Sequence, residues 1–171
     1  GLQVSVTEAV GTTQQRTTTT SYDAAANTLY TTDALGEITS FAYDSLNRQI
    51  ATLEAYGTSV QRATSTVYDL AGNTLSTIDA LAVTTSYGYD SRDRQIQRIE
   101  AFGTSLQRTT TTAYDVVGNV LSTTNPRGTV TSYGYDADNR PTQQIDTYGT
   151  SLQRTTTTVY DVVGNVRSMT N

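Results

Sequence analysis

The chain has 171 residues, carries 16 acidic residues against 11 basic ones for a net charge of −5, and contains no cysteine, histidine or tryptophan. Without cysteine there is no disulfide framework and no thiolate chemistry, and the acidic balance argues against a nucleic-acid partner, since no basic face is available to neutralise phosphates. No apolar run approaches the roughly 18 residues that a membrane-spanning helix requires, so we expect no membrane span in this segment.

The dipeptide Tyr-Asp is the dominant pattern, and the steps between successive tyrosines alternate between 21 and 25 residues. Glycines at positions 11, 57, 103 and 149 keep the same combined period of 46. A fixed period of this size is the signature of a repeat architecture. The seven pairs are Tyr22-Asp23, Tyr43-Asp44, Tyr68-Asp69, Tyr89-Asp90, Tyr114-Asp115, Tyr135-Asp136 and Tyr160-Asp161.

The period predicts one continuous array over residues 1–171. Its units are expected at about 11–56, 57–102 and 103–148, with partial units at 1–10 and 149–171. Both ends fall inside a unit, and neither resembles the capping repeat that a soluble solenoid needs. We therefore expect an interior segment of a longer protein, and we expect the excised segment to aggregate or unfold, because its cut faces expose unpaired strands.

One unit divides into four β-strands. Threonine and tyrosine favour a pleated, half-buried strand, and strands are predicted at 107–114, 120–124, 129–135 and 140–146. Turn residues separate them, as in Asn125-Pro126-Arg127-Gly128. The prediction is an all-β protein with two hairpins in every 46 residues.

The Tyr-Asp pairs are predicted to mark the hairpin turns. The aspartate can cap its own backbone in an Asx-turn, and Gly72, Gly118 and Gly164 supply the positive φ that such a turn requires. Other copies must place another residue in that position, namely Ala26, Asn47, Asp93 and Asn139.

The period also predicts contacts between strands. Stacked units would place like residues side by side, so the aromatic pairs Phe41 and Tyr43, Tyr87 and Tyr89, and Tyr133 and Tyr135 are expected to form ladders, with threonine ladders on the polar face. The arginines at 16, 62, 108 and 154 repeat by 46, and Glu54, Glu100 and Asp146 are their expected partners.

Three functional alternatives compete with the turn interpretation. The repeated aspartates could bind a cation, but the spacing lacks the dense oxygen pattern of a calcium loop. Asp90 and Asp93, near Arg92 and Arg94, suggest acid–base chemistry, yet a site repeated in every unit and lacking histidine is atypical of an enzyme. Tyrosines could stack on glycans. We expect no catalytic residue, no metal site and no cofactor.

Two motifs resemble the Rhs/YD-repeat family. Tyr68 to Asn73 and Tyr114 to Asn119 are similar to the Tyr-Asp-x-x-Gly-Arg/Asn signature, and Tyr43 to Arg48 and Tyr135 to Arg140 are similar to its variant with Asn before Arg. The resemblance implies a spiral antiparallel β-sheet around a hollow interior. It implies shells in bacterial polymorphic toxins and toxin-complex C components, and barrels in teneurin-like and wall-associated surface proteins. No residue here is similar to the autoproteolytic segment or the toxin domain of such shells.

Two structural hypotheses follow. The first is a segment of an extracellular β-sheet tube or filament at the cell surface, and the second is part of a closed shell around an encapsulated toxin polypeptide. Identical units related by one fixed operation build an open helix, and the spacing never slips, which favours the tube. The expected partners are further copies of the repeat in the same chain or in neighbouring subunits.

Overall fold

A computed structural model of the chain describes residues 2–8, 10–11 and 15–171. These residues form fifteen β-strands and no helix. The described part of the chain therefore has no helix that could span a membrane. The predicted all-β class is confirmed. The chain divides into two compact units, Gly1–Thr85 and Ser86–Asn171.

The first unit contains seven strands, and an eighth spans the boundary. The seven are β1 (Gln3–Glu8), β2 (Arg16–Tyr22), β3 (Thr28–Thr32), β4 (Ile38–Tyr43), β5 (Gln49–Glu54), β6 (Arg62–Tyr68) and β7 (Thr74–Ile78). The boundary strand and those of the second unit are β8 (Thr84–Tyr89), β9 (Gln95–Glu100), β10 (Arg108–Tyr114), β11 (Val120–Thr124), β12 (Val130–Tyr135), β13 (Pro141–Asp146), β14 (Arg154–Tyr160) and β15 (Val166–Thr170).

Pairing follows chain order and is antiparallel throughout. In the first unit each strand from β1 to β7 pairs with the next, and from β8 to β15 the same holds in the second. Four strands therefore occupy each 46-residue period, as predicted. Strands β10, β12 and β13 begin one residue later than expected, because residues such as Gln107 belong to the preceding turn, where its side-chain Oε1 accepts from Gly103 N at 3.2 Å.

The expectation of aromatic ladders is wrong. Equivalent strands lie four positions apart in the sheet, so like residues do not meet: Tyr87 lies opposite Arg98, and Tyr133 lies opposite Gln144. Threonines do form rows, because they occur in most strands of the sheet. Thr112, Thr123 and Thr131 are one such row.

The expected ion pairs form at two positions. Arg62 lies 3.7 Å from Glu54, and Arg108 lies 2.9 Å from Glu100. The register also sets Arg154 opposite Asp146. Exposed pairs of this kind contribute little to stability.

Each Tyr-Asp tyrosine lies at a β-bulge. The register shifts just before the tyrosine, so that Tyr114 lies opposite Val120 while the preceding Ala113 lies opposite Ser122. A bulge bends its strand and increases the local right-handed twist. The same shift occurs at Tyr22, Tyr43, Tyr68, Tyr89, Tyr135 and Tyr160.

The sheet is a single layer without a core. No hydrophobic side chain of the described residues is buried, and the only buried residue among them is Ser40, 9% exposed. Stability must therefore come from contacts between neighbouring strands and turns.

A wide turn joins the second hairpin of each period to the next period. In residues 55–61 it bends back over the sheet: Tyr56 N donates to Ile38 O at 2.9 Å, and the Tyr56 ring lies 5.7 Å from that of Tyr30. Tyr148 N makes the same bond to Val130 O at 2.9 Å.

The alanine at position 26 supplies a stability test. Its φ of 67° lies in the left-handed region, which costs a residue with a Cβ about 1–2 kcal/mol. We expect Ala26→Gly to raise the free energy of unfolding by about 0.5–1 kcal/mol, since glycine relieves this strain but loses more backbone entropy. Ala25→Gly, in the same turn but without positive φ, is the matched control and should lower it. Chemical denaturation followed by circular dichroism measures both, and equal effects would contradict the assignment.

Candidate functional site: the Tyr-Asp turn edge

Each Tyr-Asp turn is a five-residue loop closed by its aspartate. At Asp90 the carboxylate Oδ1 accepts from the backbone N of Arg92 at 2.9 Å and of Arg94 at 3.1 Å. The backbone completes the loop, because Asp90 N donates to Arg94 O at 3.0 Å and Asp93 N donates to Asp90 O at 3.1 Å. The aspartate thus satisfies backbone donors that the strands leave unpaired.

The same bond closes all seven turns. Oδ1 of each aspartate accepts from the backbone N four residues later, at 2.8 to 3.1 Å. The residue before that N has positive φ in every copy. It is Gly72, Gly118 or Gly164 in three turns, and Ala26, Asn47, Asp93 or Asn139 in the others.

The fifth residue of each turn binds the second carboxylate oxygen. It is asparagine in the first half of each period, as in Asn119, whose Nδ2 donates to Asp115 Oδ2 at 2.8 Å. It is arginine in the second half, where Nε of Arg48, Arg94 and Arg140 donates to Oδ2 of its own aspartate at 2.7 to 2.8 Å. Both carboxylate oxygens are therefore engaged within the turn.

These bonds keep the aspartates ionised. The side-chain hydrogen bond from Arg94 lowers the pKa of Asp90 from 3.8 to about 2. The side-chain hydrogen bonds from Asn27 and Asn73 likewise lower the pKa of Asp23 and Asp69. Hydrogen bonds to the charged form favour that form, so each turn is stabilised in its anionic state.

The arginines also connect each turn to the next one along the edge. Arg94 Nη1 donates to Asp115 O at 2.8 Å, and its guanidinium lies 4.6 Å from the centre of the Tyr114 ring. Arg48 repeats both contacts, with Asp69 O at 2.9 Å and the Tyr68 ring at 4.6 Å. Arg140 lies 4.9 Å from the Tyr160 ring. Since a guanidinium presents several donors in one plane, one side chain can bind its own carboxylate and reach the neighbouring turn.

The tyrosine hydroxyls reach back across the same gap. Tyr114 Oη donates to Gln95 O at 3.1 Å, and Tyr160 Oη donates to Pro141 O at 2.9 Å. Asparagines bridge the alternate gaps, because Asn27 Nδ2 donates to Asn47 Oδ1 at 2.9 Å and Asn119 Nδ2 to Asn139 Oδ1 at 2.8 Å. Within each unit, the turns at this edge therefore form one connected row.

The opposite edge uses the same turn without the tyrosine. Asp33, Asp79 and Asn125 accept from the backbone N four residues later at 2.8, 2.9 and 3.0 Å. Positive φ follows at Gly36, Ala82 and Gly128. Of these three turns, we predict from the sequence only the one at residues 125–128. The common spacing of 46 among Asp33, Asp79 and Asn125 was the available signal.

The geometry does not assemble an acid–base site at Asp90. Its two carboxylate oxygens accept hydrogen bonds from its own turn, as they do in the other copies. Within residues 2–8, 10–11 and 15–171, no group of three acidic, histidine or cysteine residues is placed to hold a metal ion. The side chains of the Tyr-Asp edge instead link neighbouring turns to one another.

The fold and this edge define a class, a single-layer repeat sheet of capped hairpins, and the comparisons identify the repeat. The RHS Repeat family model matches residues 68–105 and 114–151, which confirms the predicted resemblance over these two segments. No match is found among curated protein sequences.

Solved toxin complexes share the fold. The TcdB2-TccC3-Cdc42 crystal structure is similar to 92% of this chain with a TM-score of 0.68 and 21% identity. For TcdB2-TccC3 without its hypervariable C-terminal region the TM-score is 0.69 at 22% identity, and for the Tc holotoxin pore of Photorhabdus luminescens, carrying a mutation in TccC3, it is 0.70 at 21%. Both cover 92% of this chain. The chain spans 9% of the length of each of these matched chains.

The lowered pKa of Asp90 predicts acid sensitivity. A carboxyl whose folded pKa is depressed stabilises the fold above its unfolded pKa, here 3.8, and that contribution is lost as the pH falls toward about 2. We expect Tm to fall over this interval, and Asp90→Asn to reduce the slope while lowering Tm at pH 7. Glu37→Gln, on the opposite edge, should keep the wild-type slope. A slope unchanged by Asp90→Asn would contradict the assignment.

Because Arg94 links two turns, we expect its replacement to lower the stability of the sheet even when the positive charge is kept. Arg94→Lys keeps the positive charge but removes the planar fork that binds Asp90, Asp115 O and the Tyr114 ring together. We expect Tm, measured by differential scanning calorimetry, to fall by roughly 5 °C. Arg154→Lys, at an exposed arginine, is the matched control and should leave Tm within about 1 °C. Equal effects of the two substitutions would show that Arg94 acts as a simple charge.

Proposed function

We propose that residues 1–171 form one continuous array that serves as a structural wall segment of a larger Rhs-type β-sheet, without catalytic activity. The observation that carries this proposal is the absence of a buried hydrophobic core among the described residues, combined with Tyr-Asp turns that are linked to their neighbours alternately by arginine and by asparagine. A sheet of this kind grows by adding hairpins, because each strand contacts only the strands beside it.

We further propose that this wall belongs to an open tube or filament outside the cell. The wide turns support it, because they repeat their backbone geometry: φ is 50° at Ala55, 50° at Ala101 and 51° at Thr147. The following glycines agree as closely, at 80°, 78° and 78° for Gly57, Gly103 and Gly149. Turns of one local geometry are what a single repeated operation between units requires, and such an operation builds an open helix when it does not close.

A closed shell is the second candidate. The likeness of this chain to the solved complexes that contain TccC3 supports it, together with the shells that the family resemblance implies. In such a shell the partner would be an enclosed polypeptide. Both candidates agree with a secreted protein. Among the described residues, no contact favours the glycan-binding alternative.

Electron microscopy of the protein that carries this segment distinguishes the candidates. We expect tubes of constant diameter and variable length. Capsules of one fixed length would contradict the tube and support the shell. Compact globular particles without a hollow interior would contradict both, and with them the wall proposal.

A further inference from the structure

The turns of the second unit place exposed aliphatic side chains along both edges. On the Tyr-Asp edge, the turns at 115–119 and 161–165 each carry two valines at their tips, and Val116 and Val162 are 79% and 101% exposed. On the opposite edge, the wide turns carry Leu106 and Leu152, each 76% exposed. Turn residues are ordinarily Gly, Pro, Asn, Asp or Ser, whose backbone freedom or side-chain hydrogen bonds favour the turn, and these aliphatic side chains supply neither.

A charged turn lies between the apolar turns on each edge. On the Tyr-Asp edge it is 136–140, whose Asp138 is 73% exposed and lies 3.2 Å from Arg140. On the opposite edge it is 125–129, whose exposed Arg127 has no ion pair with any described residue. Along each edge, an apolar turn is therefore followed by a charged turn and then by a second apolar turn. The exposed charges of the two central turns, Asp138 and Arg127, have opposite sign.

The two edges share one spacing. Successive turns on the same edge are two strands apart in the sheet, which is roughly 10 Å. When one copy is placed above another and shifted by one strand, the valine pair at 116–117 meets Leu106, Asp138 meets Arg127, and the pair at 162–163 meets Leu152. Apolar groups then cover apolar groups, and the exposed charges pair.

The overall charge of the edges agrees with this match. The three Tyr-Asp turns carry an acidic excess, with Asp115, Asp136, Asp138 and Asp161 against Arg140. In the three facing turns, Arg127 is the only charged residue. The first unit lacks this complementarity, because its opposite-edge turns contain Asp33, Glu37 and Asp79 and no basic residue.

We propose that the Tyr-Asp edge of residues 115–165 docks against the opposite edge, residues 101–153, of a second copy of this chain. The contact is heterologous, since it joins two different edges, and each added copy therefore leaves one edge of each kind free for a further copy. Its core is aliphatic and its register is set by the pair Arg127–Asp138. The contact holds for a tube and for a shell alike, so its failure would leave the wall proposal standing.

Charge exchange tests the register. Sedimentation velocity of the full chain at increasing concentration should show self-association, and Arg127→Glu or Asp138→Arg alone should weaken it at least roughly tenfold, because like charges then face each other across the contact. The double variant R127E/D138R should recover the association, and so should an equimolar mixture of the two single variants. Arg167→Glu, the same charge change on strand β15, is the control.

The aliphatic part is tested with matched leucine and valine sites. Leu152→Ser should weaken the association, whereas Val60→Ser, at the same turn position in the first unit and 70% exposed, should not. Circular dichroism checks that every variant folds. The equimolar mixture provides a second check on folding. A single variant that is misfolded cannot restore association when it is mixed with the other single variant, whereas a folded one can.

Three results would overturn the proposal. One is a chain that stays monomeric at every concentration. Another is association that neither single charge variant changes, which would assign it to the free strand edges of β1 and β15. The third is a double variant and a mixture that both fail to recover.

Discussion

A sheet that is one layer thick has no interior, so the contacts that hold it lie between elements adjacent along the chain. In this protein those contacts concentrate at the Tyr-Asp edge. There an aspartate closes its own turn, and an arginine or asparagine from that turn binds the next. The arginine is half-buried against a tyrosine ring, which reduces the screening that makes exposed charge pairs weak. The other features of the fold depend on this row of linked turns.

The turn requirement explains several local choices. Closing five residues around one carboxylate forces the fourth residue to positive φ, and alanine occupies that position at Ala26 and Ala82 despite its Cβ. The closure therefore outweighs a strain of about 1–2 kcal/mol. The bulge at the tyrosine has a related effect, because it increases twist where the strand enters the turn. The tyrosine hydroxyl then bonds to a carbonyl of the preceding hairpin.

Sequence periodicity was sufficient for the fold but not for its contacts. The four strands of each period follow from threonine-rich segments between turn residues, and Val120–Thr124 matches its prediction at both ends. The ladder expectation failed because it paired residues by repeat position, whereas pairing follows chain order and brings Tyr133 to Gln144.

The contacts that link neighbouring turns can be identified only when the strand register is known. Arg94 reaches Asp115, 21 residues away, because a bulge and a short turn together align the two hairpins at one edge. Neither the bulge nor the direction of the guanidinium leaves a pattern in one sequence. The capped turns at Asp33 and Asp79 lack the preceding tyrosine, so the Tyr-Asp pattern does not predict them.

The central claim is that neighbouring Tyr-Asp turns stabilise each other directly. A double-mutant cycle between Arg94→Ala and Tyr114→Leu measures that interaction, because it separates the coupling of the pair from the loss of either side chain. A guanidinium stacked on a tyrosine at 4.6 Å predicts a coupling free energy of roughly 0.5–1 kcal/mol. Additive effects of the two substitutions, with no coupling, would contradict the account and place the stability of the sheet in its strands alone.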